Sequence, residues 1–292
     1  MTDNKMLSVE NHKQIINVAF IIISKKIHVI TKGKYLMNTI SYKLFVCFAA
    51  ENRYNIAEPT VFHLKNYGIE TWYDRHSLIM GDNRITKNLI EGARDCKYAL
   101  VILSQYTFSS ECAMEELSII KARYDQGEVT IFPILYELSP GNIPYELSWI
   151  KEIIFKEVDR HSGTREICNH IACKITGDIV NECTYHTIQD IIHNPQLLLP
   201  VPAYEILRSY QEIDNANLNS RIALLYAVYL TIFHSSKIKP CSLTTLVTKI
   251  FERLFSETKL NLTVDYRELW LLENAICILV NCYLISCTES KM

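Results

Sequence analysis

The sequence has no surplus of basic side chains: 30 Lys and Arg stand against 32 Asp and Glu, a formal net charge of -2 over 292 residues. Binding to a polyanion draws on a marked excess of Lys and Arg, so nucleic acid is not an expected partner. The chain also lacks a C-x-x-C pair. Its ten cysteines lie at scattered spacings, which argues against a disulfide framework and for a reducing cytoplasm. Cys277, Cys282 and Cys287 recur every five residues, a step that winds around a helix without gathering on one face. Cys183, His186 and His193 cluster in sequence, but no fourth ligand stands at zinc-like spacing and no metal is expected. Long unbroken apolar runs are missing too. The run VAFIII, 18–23, is cut off by Lys25 and Lys26; it is too short for a bilayer and has no small-residue cleavage site of a secretory signal. The segment LWLLENAICILVNCYLISC, 269–287, is interrupted by Glu273, Asn274 and Asn281. It reads as a buried core helix and not a membrane span, so a membrane partner is not expected.

What is present is a composition with 49% hydrophobic and 21% charged residues, ordinary for a globular protein with a real core. The length suits two domains. From Lys43 to Gly177, short β-rich runs alternate with helical segments: KLFVCF (43–48), ETWYD (70–74), YALVILS (98–104), VTIFPIL (129–135) and EIIFKEV (152–158). They read as five strands, mostly buried on both faces. Pro59 suits a first helical turn, Gly68 a helix stop, and Ser109 or Ser110 an N-cap. Such alternation predicts an α/β fold, a flavodoxin-like five-stranded parallel sheet with right-handed crossovers. Ligands of such sheets bind at the carboxyl ends of the strands. The segments that should meet there are AAENRY (49–54), RHSLIMGDNR (75–84) and the loop QYTFSS (105–110). Beyond Gly177 the strand pattern stops. Helical periodicity marks 204–214, 220–233, 243–255 and 266–287. The domain reading is thus an extension at 1–40, an α/β domain at 41–177 and a smaller all-α domain at 178–292, with residues before Met37 dispensable.

Two adjacent carboxylates, Glu115 and Glu116, sit in the second turn of the helix that follows the third strand. Solvated glutamates are the ordinary occupants of a helix face. The rim position allows a second reading, a carboxylate turned into the crevice. About 100° separates neighbouring residues on a helix, so only one of the two can face it.

Together the runs LFVCFAAENR, GIETWYDRHSLIMGDNRI and LIEGARDCKYALVILSQYTFSSECAMEEL resemble, in order, the Toll/interleukin-1 receptor (TIR) domains, and most of all the bacterial members that cleave NAD. Gly68, Trp72, Asp74, Leu78, Gly81 and Ile85 stand at the family's spacing, and the resemblance covers about 41–174. It implies NAD as substrate, with no separate cofactor. Nicotinamide plus ADP-ribose or a cyclic isomer would be the products, and Glu116, directly before Leu117, the catalytic glutamate. Phe48, Ala49, Ala50, Ile79, Gly81 and Cys112 would line the nucleotide site; Asp74 reads as structural. Cys112 occupies the place of the family's tryptophan, and Ala49 and Ala50 stand where many enzymatic members carry Arg or Ser. The resemblance further implies self-association through this domain, the C-terminal helices or both, and a part in bacterial immune defence or signalling. The alternative is an adaptor without catalysis that works through assembly with other such domains. A phosphoreceiver is excluded, because no acidic cluster accompanies a phosphorylatable Asp at the strand ends.

Overall fold

The computed structural model describes residues 43–289, apart from 195, 196, 198, 236, 237 and 259–264. The expectations for the first 40 residues, for residues before Met37 and for the run at 18–23 lie outside the described residues.

Five strands, β1 (Leu44–Cys47), β2 (Thr71–Trp72), β3 (Tyr98–Leu103), β4 (Thr130–Tyr136) and β5 (Lys156–Val158), form one sheet in the order β2-β1-β3-β4-β5. Every pairing is parallel. Side chains alternate across a strand, and in β1 and β3 both sets are apolar. Leu44, Val46, Leu100 and Ile102 pack into one core, while Phe45, Cys47, Val101 and Leu103 pack into another on the opposite face. This double burial is why the central strands read as continuous hydrophobic runs.

The helices of the α/β unit are α1 (Glu58–Asn66), α2 (Asp74–Ser77), α3 (Ile85–Arg94), α4 (Glu111–Asp125) and α5 (Arg165–Asn181). Pro59 lies in the first turn of α1, and Gly68 follows its end with φ +78°. Ser110 caps α4, its side chain accepting from the Ala113 amide. Both ends of the sheet are shorter than expected. β2 is two residues long on the edge, and the chain leaves it at Tyr73 to wind into α2. β5 begins only at Lys156, because Tyr145–Glu152 coils into a 3-10 helix that buries Leu147 and Ile150.

α3 packs tightly under the sheet. A Cβ at Gly92 would lie 2.6 Å from the Trp72 indole nitrogen and 2.9 Å from the Phe45 ring, so only glycine permits this approach.

Five further helices follow: α6 (Ile188–Ile192), α7 (Val201–Glu212), α8 (Leu218–Phe233), α9 (Ser242–Thr258) and α10 (Tyr266–Glu289). α6 opens with a capping box in which Thr187 and Asp190 satisfy each other's backbone. α10 is long and apolar enough to cross a membrane, yet 83% of its apolar window is buried inside the protein. It lies against α5, α8 and α9. Helix α5 runs through Gly177 without a break, and the core on its side of the sheet continues from β1 and β3 through α5 into α10. Arg253 of α9 and Glu268 of α10 form a buried ion pair. Glu268 also accepts from Asn169 of α5 at 2.8 Å, and the Arg253 guanidinium lies 4.2 Å from the Tyr67 ring centroid at the end of α1.

Candidate functional site

The carboxyl ends of β1 and β3 and the N-terminal half of α4 converge on Glu116. Helical spacing places Glu116 on the inner side of α4, with Ala113, Leu117 and Ile120 buried beside it. Its neighbour Glu115 lies on the outer side and bonds Arg84 at 2.6 Å, both chains being over 40% exposed. The pair therefore divides into an outer carboxylate in a surface ion pair and an inner one that is only 8% exposed.

Two groups hold Glu116, one of them held in turn by a third. The Asn88 amide of α3 donates to Oε1 at 2.5 Å, and the Trp72 indole donates to the Asn88 carbonyl at 3.4 Å, fixing which way the amide faces. The thiol of Cys47, the last residue of β1, lies within reach of both the Ala113 carbonyl, at 3.6 Å, and the Glu116 carboxyl. Burial lifts the Glu116 pKa to about 7, and the bonds from Asn88 and Cys47 only partly offset it. Nearby Asp74 pushes the same way and Arg84 opposes it. Burial, and the carboxylate beside it, push the Cys47 thiol well above its ordinary value. It is a hydrogen-bonding neighbour and not a nucleophile.

Beside this carboxylate the turn after β1 builds an aromatic floor. Phe48 stacks on Tyr73, with ring centroids 5.6 Å apart. The Arg53 guanidinium lies 5.1 Å from the Phe48 ring centroid and bonds both oxygens of Asp74, at 2.7 and 2.6 Å. Arg53, Tyr54, Asp74, Arg75 and Leu78 line a cavity of about 300 Å³. Underneath, Ser104 at the end of β3 donates to buried Asn52 at 2.6 Å, tying the two strand ends together.

The other expected lining residues fall at different depths. Ala49 is fully buried and Ala50 exposed, so of the two only Ala50 offers its side chain to a ligand. Cys112 is exposed one turn before Glu116 and so lies on the same side of α4. Ile79 and Met80 stand out in solvent, 77% and 102% exposed. Gly81 turns the chain there with φ +103°, a left-handed conformation that disfavours any side chain. Asp74 combines the structural role expected of it, accepting from the Arg75 amide at 2.6 Å, with its bond to Arg53 in the cavity wall. Sequence reasoning missed Asn88, Arg53 and Cys47. Cys47 could have been found as the last residue of a buried strand, and Arg53 lies in the charged turn already singled out. Asn88 carries no signal in a helix of mixed polarity. The Cys183, His186 and His193 cluster holds no metal-binding group among the described residues.

Comparison with known proteins gives the same assignment for this half of the chain. Residues 44–167 match the family model described as TIR domain. The chain is 27% identical over 101 residues to the NAD(+) hydrolase TcpA of Theionarchaea archaeon (strain DG-70-1), a match covering 35% of this chain and 30% of that protein. It is 28% identical over 102 residues to the 2' cyclic ADP-D-ribose synthase AbTIR of Acinetobacter baumannii (strain 1295743), covering 35% and 38% respectively. The chain thus spans about a third of the length of these curated relatives. Among solved structures, the TIR domain of the Toll-related receptor TRR-2 from Hydra magnipapillata aligns with 21% identity and a TM-score of 0.34, covering 40% of this chain and 84% of that one.

Proposed function

Residues 44–167 belong to the TIR domain family, and from that premise we propose that the protein cleaves the nicotinamide–ribose bond of NAD, with Glu116 as the catalytic residue. The observation that carries this reading is the contrast within the glutamate pair: Glu116 is buried at the strand ends, held by Asn88 and tuned to about pH 7, while Glu115 is exposed and paired. Relatives named as NAD(+) hydrolases and cyclic ADP-ribose synthases support the same substrate.

The chemistry needs little more than one ionised carboxylate. As the bond from the ribose C1' to the pyridinium nitrogen breaks, its electron pair goes to nitrogen and nicotinamide leaves neutral, so no general acid is required. The sugar becomes oxocarbenium-like, and an anionic Glu116 stabilises that charge. Water attacking C1' gives ADP-ribose, with its proton passing to solvent. Attack by another nucleophile within the same molecule gives a cyclic isomer. In this reading Phe48, with Tyr73 stacked on it, takes a flat ring of the substrate, and the exposed turn at Ile79–Gly81 serves as a cover. In the same reading the protein works by self-association, in the cytoplasm, in immune defence or signalling. Its specific activity then rises with protein concentration, and activity that stays flat over about a hundredfold dilution opposes that part.

The test compares Glu116→Gln with Glu115→Gln. Both replacements preserve size and helix propensity. Loss of one charge-stabilising group costs on the order of a hundredfold to a thousandfold in rate, whereas a surface ion pair contributes about 0–1 kcal/mol to stability and nothing to the reaction. NAD loss should therefore collapse in the first variant and persist in the second, with thermal melts confirming that both are folded. Equal activity, or a selective loss in Glu115→Gln, refutes the assignment and leaves the adaptor reading.

A further inference from the structure

A cavity of about 540 Å³ lies outside the α/β unit, among the C-terminal helices, between the start of α6, the end of α7, the N-terminal half of α10 and Arg221 of α8. We propose that it is a second binding site, for an uncharged planar heterocycle carrying an amino group, of nucleobase or nucleoside size. The inference is independent of the NAD-cleaving reading.

The walls state the chemistry. Trp270 of α10 lines the cavity and is 49% exposed, a flat apolar face on a helix whose other large side chains are mostly buried. Its ring edge lies against α5 at Gly177, 3.7 Å from where a Cβ would stand. A free aromatic face at a cavity wall suits stacking with a heterocycle.

The one cation in the wall is already committed. Arg221 bonds the Ile213 carbonyl, Asn215, the Tyr210 hydroxyl and Glu273, and its guanidinium lies 4.1 Å from the Tyr210 ring centroid. Only its Nε lacks a partner among the described residues, and that atom is buried away from solvent, so an anion in the cavity would meet no exposed free donor of the guanidinium and a phosphate adds little to binding here. The uncommitted groups include both acceptors and amide donors. Glu273 uses Oε1 for Tyr210 and Arg221, leaving Oε2. Gln211 donates to Gln189 at 2.5 Å, which leaves the Gln211 carbonyl and the Gln189 amide nitrogen. Asn274 donates to Thr176 of α5 at 3.4 Å, leaving its carbonyl. Acceptors and donors side by side, with a flat face beside them, fit an aromatic amine with a neighbouring ring nitrogen. Carboxamides read such an edge by a paired donor and acceptor. Asn274 and Trp270 both touch α5, the helix shared with the sheet, so a ligand here bears on the α/β unit directly.

The test titrates the full chain with adenosine, inosine and AMP, following tryptophan emission and, separately, heat. Trp270→Phe identifies the emission of that residue against Trp72 and Trp149. Adenosine should quench Trp270 saturably. Inosine, which lacks the amino group, should bind about tenfold more weakly or worse, and AMP no more tightly than adenosine. Gln211→Ala, at an exposed position, should weaken adenosine without changing the melt. It separates this site from any adenine binding in the Glu116 crevice, which it cannot affect. Absence of adenosine binding up to about 10 mM, equal binding of inosine, tighter binding of AMP, or an unchanged affinity in Gln211→Ala overturns the proposal.

Discussion

A glutamate left in water is ionised at any neutral pH, and a fully anionic Glu116 would make the rate insensitive to pH in that range. Burial changes this, because it penalises the charged form and lifts the pKa to about 7. The carboxyl is protonated below that pH and ionised above it, and stabilising the oxocarbenium requires the ionised form. NAD cleavage should therefore rise with pH through about 7, level off above it, and at one unit below stand about tenfold under the plateau. A rate profile that is flat across this range means that another group carries the charge. Asn88 donates to the carboxylate and so favours its ionised state. Asn88→Ala should move the rising limb to higher pH, an effect that a purely structural residue would not produce. Asn88 is in this sense a positioning residue, and its own partner, Trp72, extends the chain of contacts back to the sheet edge.

Among the elements, the contact between α3 and β2 decides where Asn88 stands. Gly92 lies one turn beyond Asn88 on α3 and faces Trp72 and Phe45 at distances that leave no room for a methyl group. Gly92→Ala should destabilise the fold by about 1–3 kcal/mol through overpacking. It should also lower NAD cleavage beyond what the lost stability explains, since the helix must shift away from the indole that orients the Asn88 amide. Urea melts and activity below the unfolding range check the two effects separately. The same region shows why some elements were legible in sequence and others were not. β1 and β3 are buried on both faces, so LFVC and YALVIL stand out as apolar runs. β2 is two residues on an edge, and its expected continuation through Asp74 is drawn instead into α2, where Arg53 holds the carboxylate. Position on a helix after a strand, a local property, draws attention to the pair on α4, and the resemblance to the TIR motif directly before Leu117 singles out Glu116. Asn88 and Arg53 act through partners 28 and 21 residues away, a relation no local pattern contains. The cavity beside Trp270 gathers residues from 186 to 277, and nothing in the helical periodicity of those segments marks it.

At the scale of the molecule, α10 sits at the centre of the helical half while forming a wall for the α/β half. Helix α5 turns Ile171, Ala172, Ile175 and Ile179 into the core that α10 completes with Leu271, Leu272, Ala275 and Ile278. Asn169 and Thr176 of α5 bond Glu268 and Asn274 across the same contact. If the chain is ended after Glu182, this stripe of α5 meets water, and an apolar face of that extent drives association or unfolding. At roughly 25 cal/mol for each Å² of apolar surface, even 200 Å² newly exposed would cost on the order of 5 kcal/mol, comparable to the whole stability of an ordinary domain. The shortened protein should therefore be insoluble or aggregated, or should melt early and bind a hydrophobic dye, under conditions in which the full chain is monodisperse. Placing Glu at Ile175 in the full chain tests the same contact without removing any helix, and should lower the melting temperature sharply. A shortened chain that stays monodisperse and melts as cooperatively as the full one would mean that α5 closes its own core. The helical half would then be separable from the sheet, whereas the continuous packing through α5 argues that the two halves fold as one.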